Sequence, residues 1–532
     1  MCFAPRALVW QQRRVLCTDG VFFVERAQGW ESGDAGQALD RLDWNLYPLL
    51  LWGGHAGGMS WEAAGALIGL TAATLLVLPL FGIVRRTSGT LTAAVACLLY
   101  AVHPEAIDWS GEVVRDPLFW LVLVCGWGCL ERAWPLGTRG WYLAAGVCVA
   151  AGVLLRFEGW FLLAVGGLVA GHGLKDASST SVGLASAHFA KCYVQRVACL
   201  VGPLAMAMLL LNVRLLESDQ PWRWGRFDHL TLARDWLAGS QVEVAAASEK
   251  PAALSAQTAG ASIRELMWGY RHTLLQAFGG PYAALTVIGL SLQWVHRRWK
   301  RFWISNLLAT LFLASIWVYL CRQQETTARY FVPVVILLLP AAATGLIQTC
   351  TGIAAAAQRI MRYRGRVEPR ELATVGAPLL LAVVSLLLAW TGMRDSLERE
   401  YSSRVLRADL GLWIAAQFGT QRDLLCSENL ERLVGHYARA QHRSIPPQLT
   451  GASLQAWVTN HPAELLVLWQ RPPLDRQASD LLAAAEPLGY QRVAPRHIPQ
   501  ALRDAAILVR KADDGWAQVT HPRGPASDRG PR

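Results

Sequence analysis

The chain has 532 residues, of which 53% are hydrophobic and only 17% charged, and it carries a formal charge of +11. A water-soluble domain holds roughly a quarter charged residues, so this balance excludes an ordinary soluble enzyme and points to lipid as solvent. The Lys and Arg residues fall between apolar runs instead of along one stripe, which marks membrane orientation and argues against nucleic-acid binding.

In chain order, residues 1–46 are mixed polar and aromatic, with no continuous apolar stretch of the kind a cleavable signal needs. A short Gly-rich apolar stretch, 47–58, cannot span alone. Ten stretches follow that approach the roughly 20 apolar residues of a spanning helix: 62–84, 90–107, 117–133, 140–155, 158–172, 198–216, 274–293, 302–320, 330–349 and 374–393. Several are short, and the pair at 140–172 reads as partly re-entrant. The 24 Trp suit interfacial belts. Of the 11 Cys, Cys97, Cys125, Cys129, Cys148 and Cys350 lie inside apolar runs without zinc spacing, so they read as small buried hydrophobes.

The basic residues give direction. One set of alternate connections holds Arg85, Arg86, Arg132, Arg139, Lys175, Lys191, Arg196, Arg297, Arg298, Lys300, Arg301, Arg359, Arg362, Arg364, Arg366 and Arg370. The opposite set holds only Arg115, Arg156, Arg322 and Arg329. The positive-inside rule puts the first set in the cytoplasm of a multi-pass cell (inner) membrane protein. Segment 1–61 and loops 108–116, 217–273 and 321–329 then lie outside, as does everything from 394 onward.

Beyond residue 393 the apolar runs shorten to strand length at 423–426, 464–469 and 505–509, with helical periods at 405–418, 429–440 and 478–486. That alternation predicts a small extracytoplasmic α/β domain over 394–510, for scaffolding or for positioning an acceptor. Residues 511–532 are polar and Gly/Pro-rich and read as a disordered tail.

Ionisable residues at the membrane edge are candidates for function, because burying them is costly. Outside, they form four groups: Asp19 in the N-terminal segment; His103, Glu105, Asp108, Glu112, Arg115 and Asp116; Arg156 and Glu158; and Arg322 through Arg329 and Tyr330. Each has a plain explanation as well. Asp19 suits a solvated loop, Glu112 and Arg115 an i,i+3 pair on a helix, and Arg329 a snorkelling side chain. Together they describe an outer pocket for an anionic, lipid-linked substrate, and the pattern by itself leaves enzyme and transporter both open.

Several motifs resemble the GT-C superfamily of membrane glycosyltransferases, near the dolichyl-phosphate-mannose protein mannosyltransferases (glycosyltransferase family 39). They are Asp19-Gly20 with the amphipathic stretch after it, Leu46-Tyr47-Pro48-Leu49, the loop 110–115, LLRFEGW at 154–160 and ARYFVPV at 328–334. The resemblance implies a GT-C-like domain over 1–393 and inverting transfer of a sugar from a polyprenyl-phosphate donor to a protein, lipid or glycan acceptor outside the cytoplasm. It implies Asp19 as general base, and Arg329 and then Arg115 as contacts for the donor phosphate. Glu112, Glu158, Tyr330 and His103 become substrate-binding candidates. The family often has a second acidic residue where this chain has Gly20, so no obligatory metal or other cofactor is expected, although a divalent metal stays compatible. The resemblance also implies one more span ahead of residue 1; an upstream reading frame without apolar codons, together with full activity from this start, would reject it. The competing expectations are a transporter or flippase of lipid-linked material and a structural assembly protein. A transporter predicts repeated halves, and no internal repeat is legible. The loop 217–273, with Trp222, Trp224, Asp228, Asp235 and Trp236, reads equally well as an acceptor site and as an interfacial anchor.

Overall fold

The computed structural model describes residues 2–12, 15–39, 45–172, 182–216, 263–296, 298–323, 326–363, 369–398, 402–427, 431–445, 451–461, 463–469, 485–493, 499 and 505–510. The loop residues from 217 to 262, the helical period at 478–484 and the tail 511–532 lie outside them. The chain forms two compact units. The first comprises Met1–Arg13, Phe23–Val242 and Ala261–Arg399, and the second Arg14–Phe22, Glu243–Gly260 and Glu400–Arg532.

The described part of the first unit is helical. It begins with α1 (Phe3–Gln12), α2 (Thr18–Ser32, which starts in the second unit), α3 (Ala35–Leu39) and α4 (Leu46–Ala56). Asn45 caps α4 by accepting from the Tyr47 N–H at 2.9 Å. Next come α5 (Trp61–Leu75) and α6 (Val77–Ser88), which run on as one 28-residue apolar span. Gly89, at φ +92°, turns the chain into α7 (Thr90–Ala101), a backbone conformation that favours glycine. The chain then bends by 58° at Val102–His103 into α8 (Pro104–Ser110), where Pro104 suits a first helical position.

Then follow α9 (Asp116–Leu136), α10 (Arg139–Leu155), α11 (Gly159–His172) and α12 (Val182–Leu216). Next are α13 (Ile263–Phe278), α14 (Gly280–Val295), α15 (Trp303–Gln323), α16 (Val332–Tyr363) and α17 (Pro369–Glu398). All ten expected spans coincide with helix, but they are unequal. Among the described residues, five helices are long and apolar enough to cross a membrane, or seven if α7–α8 and the 94°-bent pair α13–α14 each count as one. At about 1.5 Å per residue, the 17 residues of α10 and the 14 of α11 fall short of a roughly 30 Å hydrocarbon core. Because α13 begins at Ile263, helix replaces the last part of the loop expected to run to residue 273.

Burial sorts these helices. The span Ala328–Ile360 is 78% buried and central, whereas Ala190–Val213 and Ala377–Ser396 are 17% buried and leave Leu209, Leu210, Leu386 and Leu387 exposed, as lipid-facing helices do. The centre is packed by small residues. A Cβ on Gly289 of α14 would overlap the Ala341 backbone of α16, and one on Gly345 would overlap the Leu285 carbonyl, so the two backbones meet directly. Trp120 and Trp127 are wholly buried, so not every Trp serves an interface.

In the second unit a helix, α18 (Ser402–Phe418), precedes a five-stranded sheet of order β2-β1-β3-β5-β4. The strands are β1 (Asp423–Ser427), β2 (Gln441–Ile445), β3 (Leu465–Trp469), β4 (Tyr490–Arg492) and β5 (Ala505–Arg510), with helices α19 (Glu431–Ala438) and α20 (Gly451–Asn460) between them. β1 pairs in parallel with β2 and β3, and β5 runs antiparallel to β3 and β4. Alternation along the strands covers both faces. Leu424, Cys426, Leu465 and Val467 pack with Leu410, Ile414 and Val434, and Leu425, Leu466 and Leu468 pack with Val458 and Tyr490. The expected strands are all present. The structure adds β2 and β4, which are polar or only three residues long and leave no apolar run to read.

Candidate functional site

At one end of the first unit, three of the four expected outer groups come together around Arg156. Its backbone leaves α10 extended (φ −148°, ψ 147°). This carries the guanidinium to Glu158 in a two-pronged pair, Nη2–Oε1 at 2.6 Å and Nε–Oε2 at 3.1 Å. Nη1 meets Asp116 Oδ1, in the first turn of α9, at 2.5 Å. Arg156 is 8% exposed and Asp116 4%. A buried charge in such a place has to be paired, and the planar fork of arginine suits two carboxylates. Burial alone would raise the Glu158 carboxyl, but the Arg156 guanidinium outweighs it and holds that group at about 2, with Arg115 adding to the effect. Burial likewise opposes the charge on Arg156, and Glu158 and Asp116 override it, leaving Arg156 above its ordinary value.

Aromatic rings organise the other arginines. Tyr330, in the 3-10 turn Ala328–Phe331 ahead of α16, lies 5.5 Å beneath the Arg156 guanidinium and 5.1 Å beneath that of Arg329. Arg329 also stacks over Trp109 at 5.0 Å and reaches the Tyr330 hydroxyl at 3.4 Å. Trp109 in turn donates its indole N–H to Glu105 at 3.1 Å. Arg115 lies 5.5 Å over Phe23 of α2. Cation–π contacts of this kind hold a guanidinium in place without neutralising it.

Residues 111–115 form an irregular turn between α8 and α9. Glu112 is buried there, and no helix face joins it to Arg115. His103 caps α8, its Nδ1 accepting from the Ala106 N–H at 3.4 Å, and its ring packs edge-on against Tyr282 at 4.9 Å; it is 1% exposed. Asp19 belongs to the second unit. It is half-buried in the first turn of α2, where the helix N-terminus favours a negative charge. Its segment is held by α19: the Leu16 N–H donates to the Tyr437 hydroxyl at 3.0 Å, and Arg432 stacks on Phe22 at 5.0 Å.

The sequence placed Arg156 and Asp116 among the outer ionisable groups but gave neither an individual role, and the structure makes them the electrostatic centre of the cluster. The available signal was an arginine at the end of an apolar helix, two residues before a glutamate, where lipid forbids an unpaired charge. Among the described residues, no group of three or more His, Cys, Asp or Glu is arranged to hold a metal ion.

Residues 46–190 match the family model of the dolichyl-phosphate-mannose-protein mannosyltransferases, a stretch that includes Arg115, Asp116, Arg156 and Glu158. No curated protein sequence matches significantly. Among solved structures, ArnT from Cupriavidus metallidurans bound to undecaprenyl phosphate is similar at 15% identity and a TM-score of 0.53, over 98% of both chains. Its apo state gives 16% and 0.51, over 95% of this chain and 96% of that one. The archaeal oligosaccharyltransferase AglB from Archaeoglobus fulgidus, in complex with an inhibitory peptide and a dolichol-phosphate, gives 13% and 0.53 over 93% of this chain and 73% of that one. Residues 46–190 are thus similar to the dolichyl-phosphate-mannose-protein mannosyltransferases, and the chain as a whole shares the fold of ArnT and AglB.

Proposed function

We propose that the protein transfers a sugar, with inversion, from a polyprenyl-phosphate donor to an acceptor hydroxyl on the extracytoplasmic side. The observation that carries this reading is the gathering of Arg115, Arg156 and Arg329 with Asp116 and Glu158 at one end of the helical unit. Two similar structures were solved with undecaprenyl phosphate and dolichol-phosphate bound, which supports a lipid phosphate as donor. Arg156 is committed to two carboxylates and acts as the anchor of the site. Arg329 and Arg115, held by rings, are assigned to the donor phosphate, where fixed positive charge stabilises the leaving group. Asp19 is assigned the base role: it takes the acceptor proton as the acceptor oxygen attacks the anomeric carbon and the bond to phosphate breaks. Tyr330 and Glu112 are assigned to the donor side of the site, and His103 and Glu158 are assigned to act through the elements they fix.

The test supplies labelled polyprenyl-phosphate sugars to membranes holding the full chain and follows label into acceptors. Transfer from at least one donor is expected, and no transfer from any donor overturns the reading. In the same membranes Arg329→Glu is expected to weaken donor binding by about tenfold to a hundredfold, the worth of a charge-assisted contact. Normal donor affinity in that variant would remove Arg329 from the phosphate.

A further inference from the structure

A cavity of about 560 Å³ opens at the other end of α7 from His103. The α6–α7 turn, the last turn of α14, the 3-10 turn Arg298–Arg301 and the middle of α16 line it. It lies about 18 Å along α7 from the arginine cluster, at 1.5 Å per residue for 12 residues. This is the face on which the sequence concentrates its basic connections.

Its lining is chemically one-sided. Arg85, Arg86 and Arg301 contribute guanidinium groups, Ser88 and Thr344 contribute hydroxyls, and no carboxylate takes part among the described residues. α7 starts at its rim without a side-chain cap, so first-turn N–H groups add a partial positive charge. Gln293 is the sharper observation. It lines the cavity, is 4% exposed, and its Oε1 makes no hydrogen bond. A buried amide oxygen of that kind asks for a ligand carrying a hydrogen-bond donor, since leaving it unsatisfied is costly. Arginines ask for an anion with several oxygens. The volume lies in the range of small-molecule sites, about 300–1,000 Å³, and exceeds what a bare inorganic ion needs.

We propose that this cavity binds a polyol phosphate, an anionic phosphate ester whose alcohol carries free hydroxyls. The phosphate sits against Arg85, Arg86 and Arg301, and a hydroxyl of the alcohol donates to Gln293. Two sources share this chemistry: the headgroup of an anionic lipid such as phosphatidylglycerol, and a soluble ester such as glycerol 3-phosphate.

The test uses the purified full chain in neutral detergent, titrated with phosphatidylglycerol and with phosphatidylcholine and read by native mass spectrometry. The wild type is expected to prefer phosphatidylglycerol by about tenfold, as one charge-assisted contact supplies. The exposed pair Arg86→Glu and Arg301→Glu, made together, is expected to bring that preference close to unity. Gln293→Leu, which keeps every charge, is expected to lower affinity about fivefold. Displacement of the lipid by glycerol 3-phosphate assigns the site to soluble esters as well; retention of the lipid assigns it to headgroups. A wild type without preference for the anionic lipid, or a preference unchanged in both variants while thermal unfolding stays normal, overturns the proposal.

Discussion

Asp19→Asn is expected to lower sugar transfer by about 10²–10⁴-fold while donor binding stays unchanged, because the substitution removes the proposed base and keeps its shape. The carboxylate sits in the first turn of α2, and the Leu16–Tyr437 hydrogen bond and the Arg432–Phe22 stack help to fix its segment. Thermal unfolding of the variant separates a chemical loss from a structural one. Unchanged transfer removes Asp19 from the mechanism. Tyr437→Phe offers a contrast. It deletes one neutral hydrogen bond holding the segment, so transfer falls by only about twofold to tenfold, the worth of such a bond. A fall as large as that of Asp19→Asn would mean that the C-terminal unit does more than position this segment.

Much of the helical unit was legible because a bilayer imposes length and apolarity on each span. Every expected span fell on helix, and the three main strands of the C-terminal sheet were readable as apolar runs. The breaks within spans were harder. The 94° bend between α13 and α14 turns on Gly279 at φ +69°, and the bend before α8 on the Val102–His103 junction; neither interrupts the apolar pattern that marks a span. β2 is an edge strand of sequence QHRSI, so it buries too little to show as an apolar run. The candidate site was half legible for a different reason. Pattern reading found its ionisable residues, yet the pair that organises it, Arg156 with Asp116, joins positions forty residues apart. The plain alternative read for Glu112 and Arg115, an i,i+3 pair on a helix face, does not fit the backbone, because residues 111–115 are not helical.

Arg156→Ala is expected to destabilise the helical unit by about 3–5 kcal/mol, the cost of leaving buried carboxylates without their partner. Asp116 and Glu158 would both be stranded, and the ring of Tyr330 would lose the guanidinium above it. Thermal unfolding of the purified chain in detergent measures this, and a change below about 1 kcal/mol would mean that water reaches the pair freely. Arg156→Lys restores the charge but not the fork, so it should recover only part of the loss. The pH dependence checks the same pair independently. Because Glu158 is held at about 2 in the folded protein against an ordinary 4.5, its contribution is complete above about 4.5 and is lost as the pH falls from there toward 2. The wild type should therefore lose stability across that window. Glu158→Gln, with no proton to take up at that position, should start less stable and show a flatter profile between those limits. A variant that follows the wild-type slope would remove Glu158 as the source of the acid sensitivity.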